Sequence, residues 1–441
     1  MEATAKKRYF IQTFGCQMNV NDSEKVAGVL EARGYEAASG PDDADFVFLN
    51  TCAVREKASV KFRQSLARLD RLKKRQAGLR IGVGGCQAQL EGTAVLDGAP
   101  RVDVLVGTHN LRRIPELIDE AVATGHVAVD LDRGADAFEV PDSLTAHANP
   151  VRAYVTAMEG CNLVCSFCVV PRTRGPEVNR PISEIVAEVE RLVARGFPEV
   201  MLLGQTVNAY HWEGSDFAEL LARVAAVKGL GRLRFTTSHP SHVTPRMADA
   251  FRDLDRVCPY LHLPVQSGSD RLLLSMRRGY TRQAYLDTVT MLRDRRPDLA
   301  LSTDVIVGYP GETEAEFDET LSLLETVGFD GLFAFAYSAR PGTTAVRLRD
   351  DVAEDEKLRR LHVVNGHQQQ WQRRRNEEHV GSRHEVLVET DDGGGRVSGR
   401  TPHFRKVHFE GAATLVGRTV SVDITRSGPN SLQGVLSSAA R

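Results

Sequence analysis

Apolar residues in the first 130 positions come as short continuous runs, each followed by a stretch of helical period. Residues 9–14 read as a strand. Phe46-Val47-Phe48-Leu49, residues 79–83 and residues 102–106 are further runs that suit strands buried on both faces of a parallel sheet. After the first strand, Asn21 with Glu24 three residues on has the form of a capping box. Val26, Val29 and Leu30 keep the helical period, and Arg33-Gly34 stops it. This alternation predicts an open α/β sheet over residues 7–130. Residues 131–149 carry no period, are rich in small, acidic and proline residues, and read as a linker.

From 150 to 378 the alternation resumes. Segments 153–158, 200–203, 233–237, 261–264, 301–307 and 332–337 read as strands, with helical periods between them, as at 182–195, 217–228 and 315–327. Six βα units predict a partial TIM-type barrel, two units short of closure; six parallel strands in an open sheet satisfy the same pattern. Beyond the helix that carries Gln368-Gln369-Gln370-Trp371 the pattern changes. Segments 384–389, 405–409, 419–424 and 432–436 are short strands set off by turn residues, which predicts a small antiparallel β-barrel over 379–441. The fold class is therefore α/β in three parts: an open parallel sheet, a partial (β/α)6 barrel and a small β-barrel.

A chain of 441 residues with 42% apolar and 26% charged residues has material for two to three ordinary globular domains. No apolar run approaches the ~18–20 residues of a membrane span. The first residues offer no signal-peptide apolar region, so a cytoplasmic protein without membrane contact is expected. With 56 Lys and Arg against 58 Asp and Glu, the chain does not grip nucleic acid by bulk charge. A polyanionic partner must be met by a local patch. Arg396, Arg400, Arg405 and Lys406, interleaved with His403, Phe404 and His408, have the composition for phosphate pairing and base stacking. A solvated β-surface has the same composition.

Seven cysteines carry the candidate chemistry. A reducing cytosol does not favour a disulfide framework, which leaves metal ligation, catalysis or packing. Cys16, Cys52 and Cys86, 36 and 34 residues apart, each follow the carboxyl end of a predicted strand. Open α/β sheets place ligands along that edge, so the three thiols can converge; three small buried hydrophobes is the other reading. Gly160-Cys161-Asn162-Leu163-Val164-Cys165-Ser166-Phe167-Cys168 follows the first strand of the second block. Its C-x3-C-x2-C spacing puts three thiolates on one loop. Iron–sulfur cubes ordinarily take four, so three leave one iron open to another ligand. A zinc site would want a fourth tight ligand, and no second pair or nearby His is present. Cys258 has no thiol near it in sequence and reads as packing.

Here the chain resembles a known superfamily. C-x3-C-x2-C with an aromatic before its last cysteine looks like the radical S-adenosylmethionine (SAM) enzymes. Leu203-Gly204-Gln205 and Ile306-x-Gly308-x-x-Gly311-Glu312 match, in order, the segments that flank the SAM amino group and its adenosyl part. The resemblance implies a 4Fe–4S cluster on Cys161, Cys165 and Cys168 that chelates SAM. It also implies a SAM pocket containing Gly204, Gln205, Gly308, Gly311 and Glu312, and a 5′-deoxyadenosyl radical released by one electron. Such a radical takes hydrogen from unactivated carbon, so no acid–base side chain is singled out.

Gln12-Thr13-Phe14-Gly15-Cys16-Gln17-Met18-Asn19, Asn50-Thr51-Cys52-Ala53-Val54-Arg55 and Gly84-Gly85-Cys86 look like the N-terminal domain of methylthiotransferases. In that family the three cysteines hold a second 4Fe–4S cluster, and the C-terminal barrel is an RNA-binding TRAM domain. Cys168–Glu177 in sequence, Thr236-Thr237-Ser238-His239-Pro240, residues 261–269 and Gly399-Arg400-Thr401 resemble the MiaB branch, the tRNA-2-methylthio-N6-dimethylallyladenosine synthases. Asn179 and Thr206 depart from that branch, where Ser and Asn are usual. The resemblance implies two uses of SAM. One molecule methylates sulfur at the cluster of Cys16, Cys52 and Cys86; the other yields the radical that opens adenine C2, next to the anticodon of tRNA. The implied partners are the tRNA anticodon loop and a flavodoxin- or ferredoxin-like reductant; the sulfur source is not identified. Rival readings are methylthiolation of threonylcarbamoyl-adenosine or of a ribosomal-protein aspartate, and a non-catalytic zinc and RNA-binding protein.

Overall fold

The computed structural model describes residues 6–53, 56–97, 101–133, 138 and 140–437. Val54 and Arg55 of the Cys52 segment, residues 134–137 and 139 of the linker, and the first five residues lie outside them. The chain forms two compact units. The first takes in the chain up to Ala148 together with Glu159–Leu163 and Cys168–Val178; the second holds Asn149–Met158, Val164–Phe167 and the chain from Asn179 onward.

The first unit is a six-stranded parallel sheet. Its strands are β1 (Arg8–Thr13), β2 (Glu36–Ala37), β3 (Phe46–Thr51), β4 (Arg80–Gly85), β5 (Val104–Val106) and β6 (Ala128–Asp130), in the order β2-β1-β3-β4-β5-β6. The unbroken apolar run of β3 has a direct cause. Val47 and Leu49 enter the core on one face with Phe62, Leu66 and Leu69, while Phe46 and Phe48 enter the other with Val26, Leu30 and Leu117. Sequence patterning missed β2 and β6, edge strands of two and three residues that are too short to show a period. Helix α1 (Gln17–Ala32) begins earlier than the Asn21–Glu24 pair suggests, with Cys16 at its N-cap. Asn21 and Glu24 are buried inside it. Glu24 is turned to the Ala148 backbone N–H at 3.1 Å rather than to a helix start. Gly15, at φ +121°, turns the chain straight from β1 into the helix.

The second unit carries six parallel strands: β7 (Arg152–Thr156), β8 (Glu199–Leu203), β9 (Arg232–Phe235), β10 (Tyr260–His262), β11 (Ala300–Val307) and β12 (Gly331–Ala336). They pair as β9-β8-β7 and β10-β11-β12, and a bridge from Leu233 to Val257 joins the two halves. Among the described residues no pairing runs from β12 back to β7. The partial (β/α)6 barrel is thus the arrangement present. Val155, Val200, Leu202, Leu233, Leu261 and Val305 face the surrounding helices in one core, so the alternate residues line the inside. A closed five-stranded barrel follows, β13 (Arg383–Gly393), β14 (Arg396–Arg400), β15 (Lys406–Glu410), β16 (Thr419–Ser427) and β17 (Leu432–Leu436), in the order β13-β14-β15-β17-β16; its pairs are antiparallel as expected except β15 with β17, which run parallel. Strand β14 lies in the basic stretch and was not anticipated. No helix of the described residues is long and apolar enough to cross a membrane.

Buried charge closes the amino-terminal floor of the half-barrel. Glu199, fully buried, accepts from Arg152 Nε and, at 2.8 Å, from Arg234 Nε. Arg152 also reaches Glu389 of the small barrel at 2.5 Å, and Arg234 donates to the carbonyls of Thr401 and Pro402 at 2.9 and 2.8 Å. Phe404 lies over this cluster. Its ring stacks on Tyr260 at 4.9 Å, and the guanidiniums of Arg400, Arg234 and Arg152 sit 4.7, 4.9 and 5.3 Å from its centre. Phe404 holds φ +67°, a backbone state costly for a bulky residue and kept only where its surroundings enforce it. Burial pushes the Glu199 carboxyl up, but Arg234 and Arg152 outweigh it, and the net shift is downward. Its stabilisation is therefore full above the ordinary glutamate range and is lost as pH falls below it. Glu199→Ala removes the carboxylate that two buried guanidiniums share and should cost about 3–5 kcal/mol, read as a lowered urea midpoint.

Candidate metal centres

Parallel register brings the early cysteines to one edge. Thr51 pairs with Gly85 and Thr13 with Asn50, so Cys52 and Cys86 leave neighbouring strands side by side, and Cys16 follows β1 on the other flank of β3. The loops interlock through backbone that admits no side chain. A Cβ on Gly15 would stand 2.8 Å from Cys52 Cβ and 3.0 Å from its Sγ; one on Gly85, at φ +89°, would stand 2.3 Å from Asn50 Oδ1. Buried polar side chains lace them together. Asn19 Nδ2 donates to Asn50 Oδ1 and the Thr51 carbonyl at 3.1 and 2.9 Å, and Asn19 Oδ1 accepts from Cys16 Sγ at 3.4 Å. Asn50 Nδ2 donates to the Asn19 carbonyl at 2.8 Å, and Thr51 Oγ1 to the Gly84 carbonyl at 2.5 Å.

A positive charge lies beside this trio. Arg174 is buried, pairs with Asp22 through both terminal nitrogens, and comes within 3.9 Å of Glu159. Burial pushes the Cys86 thiol up to about 11; Arg174 opposes the rise, while Cys52 and Cys16 add to it. The three thiols thus share one local field. Val169, the residue after Cys168, packs with Cys86 and Ala53. His109 lies 4.0 Å from Glu159, and burial and Arg174 push its imidazole down. Asn19, Asn50, Thr51, Asp22 and Arg174 were not singled out in the sequence. Asp22 and Arg174 are 152 positions apart, and neither has a motif that announces the pair.

Of the second trio, Cys161 and Cys168 belong to the first unit and Cys165 to the second. Gly160 holds φ +78°, and a Cβ there would fall 1.9 Å from the Pro176 carbonyl oxygen, so only glycine fits before Cys161. Cys168 Sγ accepts from the Val170 N–H at 3.5 Å, and Cys165 Sγ from Arg278 Nη1 at 3.4 Å. Ser166 is fixed by its N–H to the Met276 carbonyl and its hydroxyl to Tyr309. Among the described residues no three His, Cys, Asp or Glu side chains are gathered so as to hold a single metal ion. The donors that both motifs offer are sulfur alone, the chemistry of iron–sulfur clusters.

Gly204 follows β8 with no room for a side chain: its Cβ would meet Met158 Cγ at 2.5 Å. Gln205 is half-buried beside it. Gly308, at φ +68°, and Gly311, at φ +79°, shape the turn after β11. Glu312 braces that turn, accepting from the Gly308 N–H and from Arg360 Nη1 at 2.8 Å. Burial pushes its carboxyl up against those two donors. The basic stretch divides in two. Arg400 pairs with Glu389, and Arg405 is nearly buried against Asp330 and Asn376, 2.9 Å away. Arg396 is exposed and Lys406 half-buried, and neither makes an ion pair among the described residues. Cys258 is buried beside the floor cluster, where burial raises its thiol.

Three family models match the chain: the radical SAM superfamily over residues 155–324, an uncharacterized protein family, UPF0004, over 8–107, and the TRAM domain over 377–436. The tRNA-2-methylthio-N(6)-dimethylallyladenosine synthase of Bordetella pertussis is 46% identical over 438 residues, covering 96% of this chain and 97% of that one. The protein of the same name from Trichlorobacter lovleyi is 44% identical over 98% of this chain and 99% of its own. The chain belongs to this family of radical SAM methylthiotransferases. Family membership brings SAM and 4Fe–4S clusters as its cofactors. Among solved structures, the radical SAM methyltransferase TsrM from Kitasatospora setae superposes with a TM-score of 0.55 at 15% identity, over 88% of this chain and 79% of that one. The radical enzyme OxsB gives 0.53 at 11%, over 82% and 56%. These two likenesses concern the fold.

Removal of Arg174 tests the buried pair. Arg174→Leu leaves Asp22 charged and unpartnered and should destabilise the first unit by about 3–5 kcal/mol. The double variant Asp22→Leu/Arg174→Leu should recover most of that loss in urea unfolding.

Proposed function

We propose that this protein installs a methylthio group at C2 of N6-dimethylallyl-adenosine, beside the anticodon of tRNA. The observation that carries the reading is the gathering of Cys16, Cys52 and Cys86 on one sheet edge, in a chain that also bears the C-x3-C-x2-C loop. With clusters and SAM bound, one centre supplies a 5′-deoxyadenosyl radical and the other a methylated sulfur. The chain's own residues do the rest. Cys16, Cys52 and Cys86 are the three thiolates of the sulfur-carrying centre. Gly15 and Gly85 let their loops close on each other, and Arg174 offsets the negative charge of gathered thiolates. Cys161, Cys165 and Cys168 are the three ligands of the SAM-binding centre. The Arg278 guanidinium and the Val170 N–H donate to two of these sulfurs.

Gly204, Gln205, Gly308 and Gly311 line the SAM pocket in this reading. Glu312 acts through its brace on the Gly308 turn. The radical step needs one electron, so a small reductant protein of the flavodoxin or ferredoxin kind is the expected redox partner. Of the four basic candidates, Arg396 and Lys406 are the ones left to face phosphate, since Arg400 is taken up by Glu389 and Arg405 by Asp330.

Three measurements test this. Deleting the gene should abolish 2-methylthio-N6-dimethylallyl-adenosine in tRNA nucleosides by mass spectrometry and leave its dimethylallyl precursor; loss of a methylthio-threonylcarbamoyl nucleoside instead would assign the rival branch. Anaerobic reconstitution should give about eight irons, falling to about four in Cys16→Ala/Cys52→Ala/Cys86→Ala. That variant should still cleave SAM and form no methylthio product. Arg396→Glu/Lys406→Glu should weaken tRNA binding and lower its salt slope by about two, one per lost phosphate contact.

A further inference from the structure

The inner face of the half-barrel carries a row of polar side chains that ends beside an uncovered aromatic ring. Along β11, Leu301, Val305 and Val307 face the helices, and along β12 Leu332 and Ala334 pack against the same core. Ser302, Asp304 and Phe333 therefore lie on the inner face. The row starts at the floor with Tyr260, whose hydroxyl meets Ser302 Oγ at 2.7 Å. Ser302 Oγ meets His262 Nδ1 at 2.9 Å, and His262 Nε2 is 3.4 Å from Asp304 Oδ2. The carboxylate is thus held by a chain anchored at the floor, yet 26% of the Asp304 side chain remains exposed.

Phe333 pairs with Asp304 in parallel register. Its ring is 50% exposed, an unusual state for an aromatic on an inward strand face, and touches His262 edge-on at 6.0 Å and 74°. An acceptor and an apolar ring thus stand one strand spacing apart, about 4.8 Å. An alkylated exocyclic amine has the matching pattern: one N–H and one hydrocarbon chain leave the same nitrogen. We propose that Asp304 accepts the N6–H of the target adenine and that Phe333 covers its dimethylallyl chain, so this pair selects the substrate. The inference rests on the function proposed above. It also explains a choice between related substrates. A threonylcarbamoyl group would bring its own carboxylate to Asp304 and be repelled; an unsubstituted amine would leave the Phe333 ring uncovered.

The test uses the full-length reconstituted enzyme and anticodon stem-loop RNAs that carry dimethylallyl-adenosine, plain adenosine or threonylcarbamoyl-adenosine. Wild-type enzyme should bind the dimethylallyl RNA at least about tenfold more tightly than the plain one, the discrimination open to a small apolar group in a pocket. If it binds the two equally and makes no methylthio product, the function itself is wrong, and this shows before any variant is made. Phe333→Ser should erase the preference by weakening only the dimethylallyl RNA, with iron content and SAM cleavage unchanged. Phe333→Leu, which keeps an apolar surface, should retain most of it. Asp304→Asn, still an acceptor but uncharged, should hold the dimethylallyl RNA and gain affinity for the threonylcarbamoyl RNA. Equal weakening of all three RNAs by Phe333→Ser, or a preference that survives it, overturns the proposal.

Discussion

Parallel pairing of β1, β3 and β4 is the constraint on which the chemistry of the first unit depends. Parallel strands end on a common edge, and the pairing of Thr51 with Gly85 sets Cys52 directly beside Cys86. A one-residue slip would turn one thiol into the sheet. Register is protected by the two apolar cores on either face of β3, since its Phe and Val/Leu positions cannot be exchanged without misplacing both sets. The convergence of the three thiols is therefore specified largely by hydrophobic packing some distance from any cysteine. Glycines at 15 and 85 then supply the close approach.

Much of this was legible in the chain. Continuous apolar runs marked the buried strands, and a cysteine spacing of one strand–helix unit marked the shared edge. What escaped was either short or long-range. Edge strands β2 and β6 have too few residues for a period, and β14 was hidden because its basic residues read as surface. Helix α1 starts at Cys16 because the backbone turns at Gly15. The Asn21–Glu24 pair, which looks like a start, serves as buried polar contact instead. Arg174 with Asp22 is an encounter of distant residues, and no local pattern reports such a pair.

The basic stretch of the small barrel shows how composition misleads about use. Four cations within eleven positions look like one surface, yet the fold divides them. Arg400 pairs with Glu389 within the small barrel, and Arg405 reaches Asp330 of the half-barrel. Arg396 and Lys406 keep their charge toward solvent.

Phe404 has a consequence of its own. Clamped between Tyr260 and three guanidiniums on a backbone that resists its conformation, it pins the small barrel to the half-barrel floor. A module fastened at that point cannot pivot without unstacking the ring and exposing buried charge. The joint is a weld rather than a hinge, and the small barrel keeps one setting on the half-barrel.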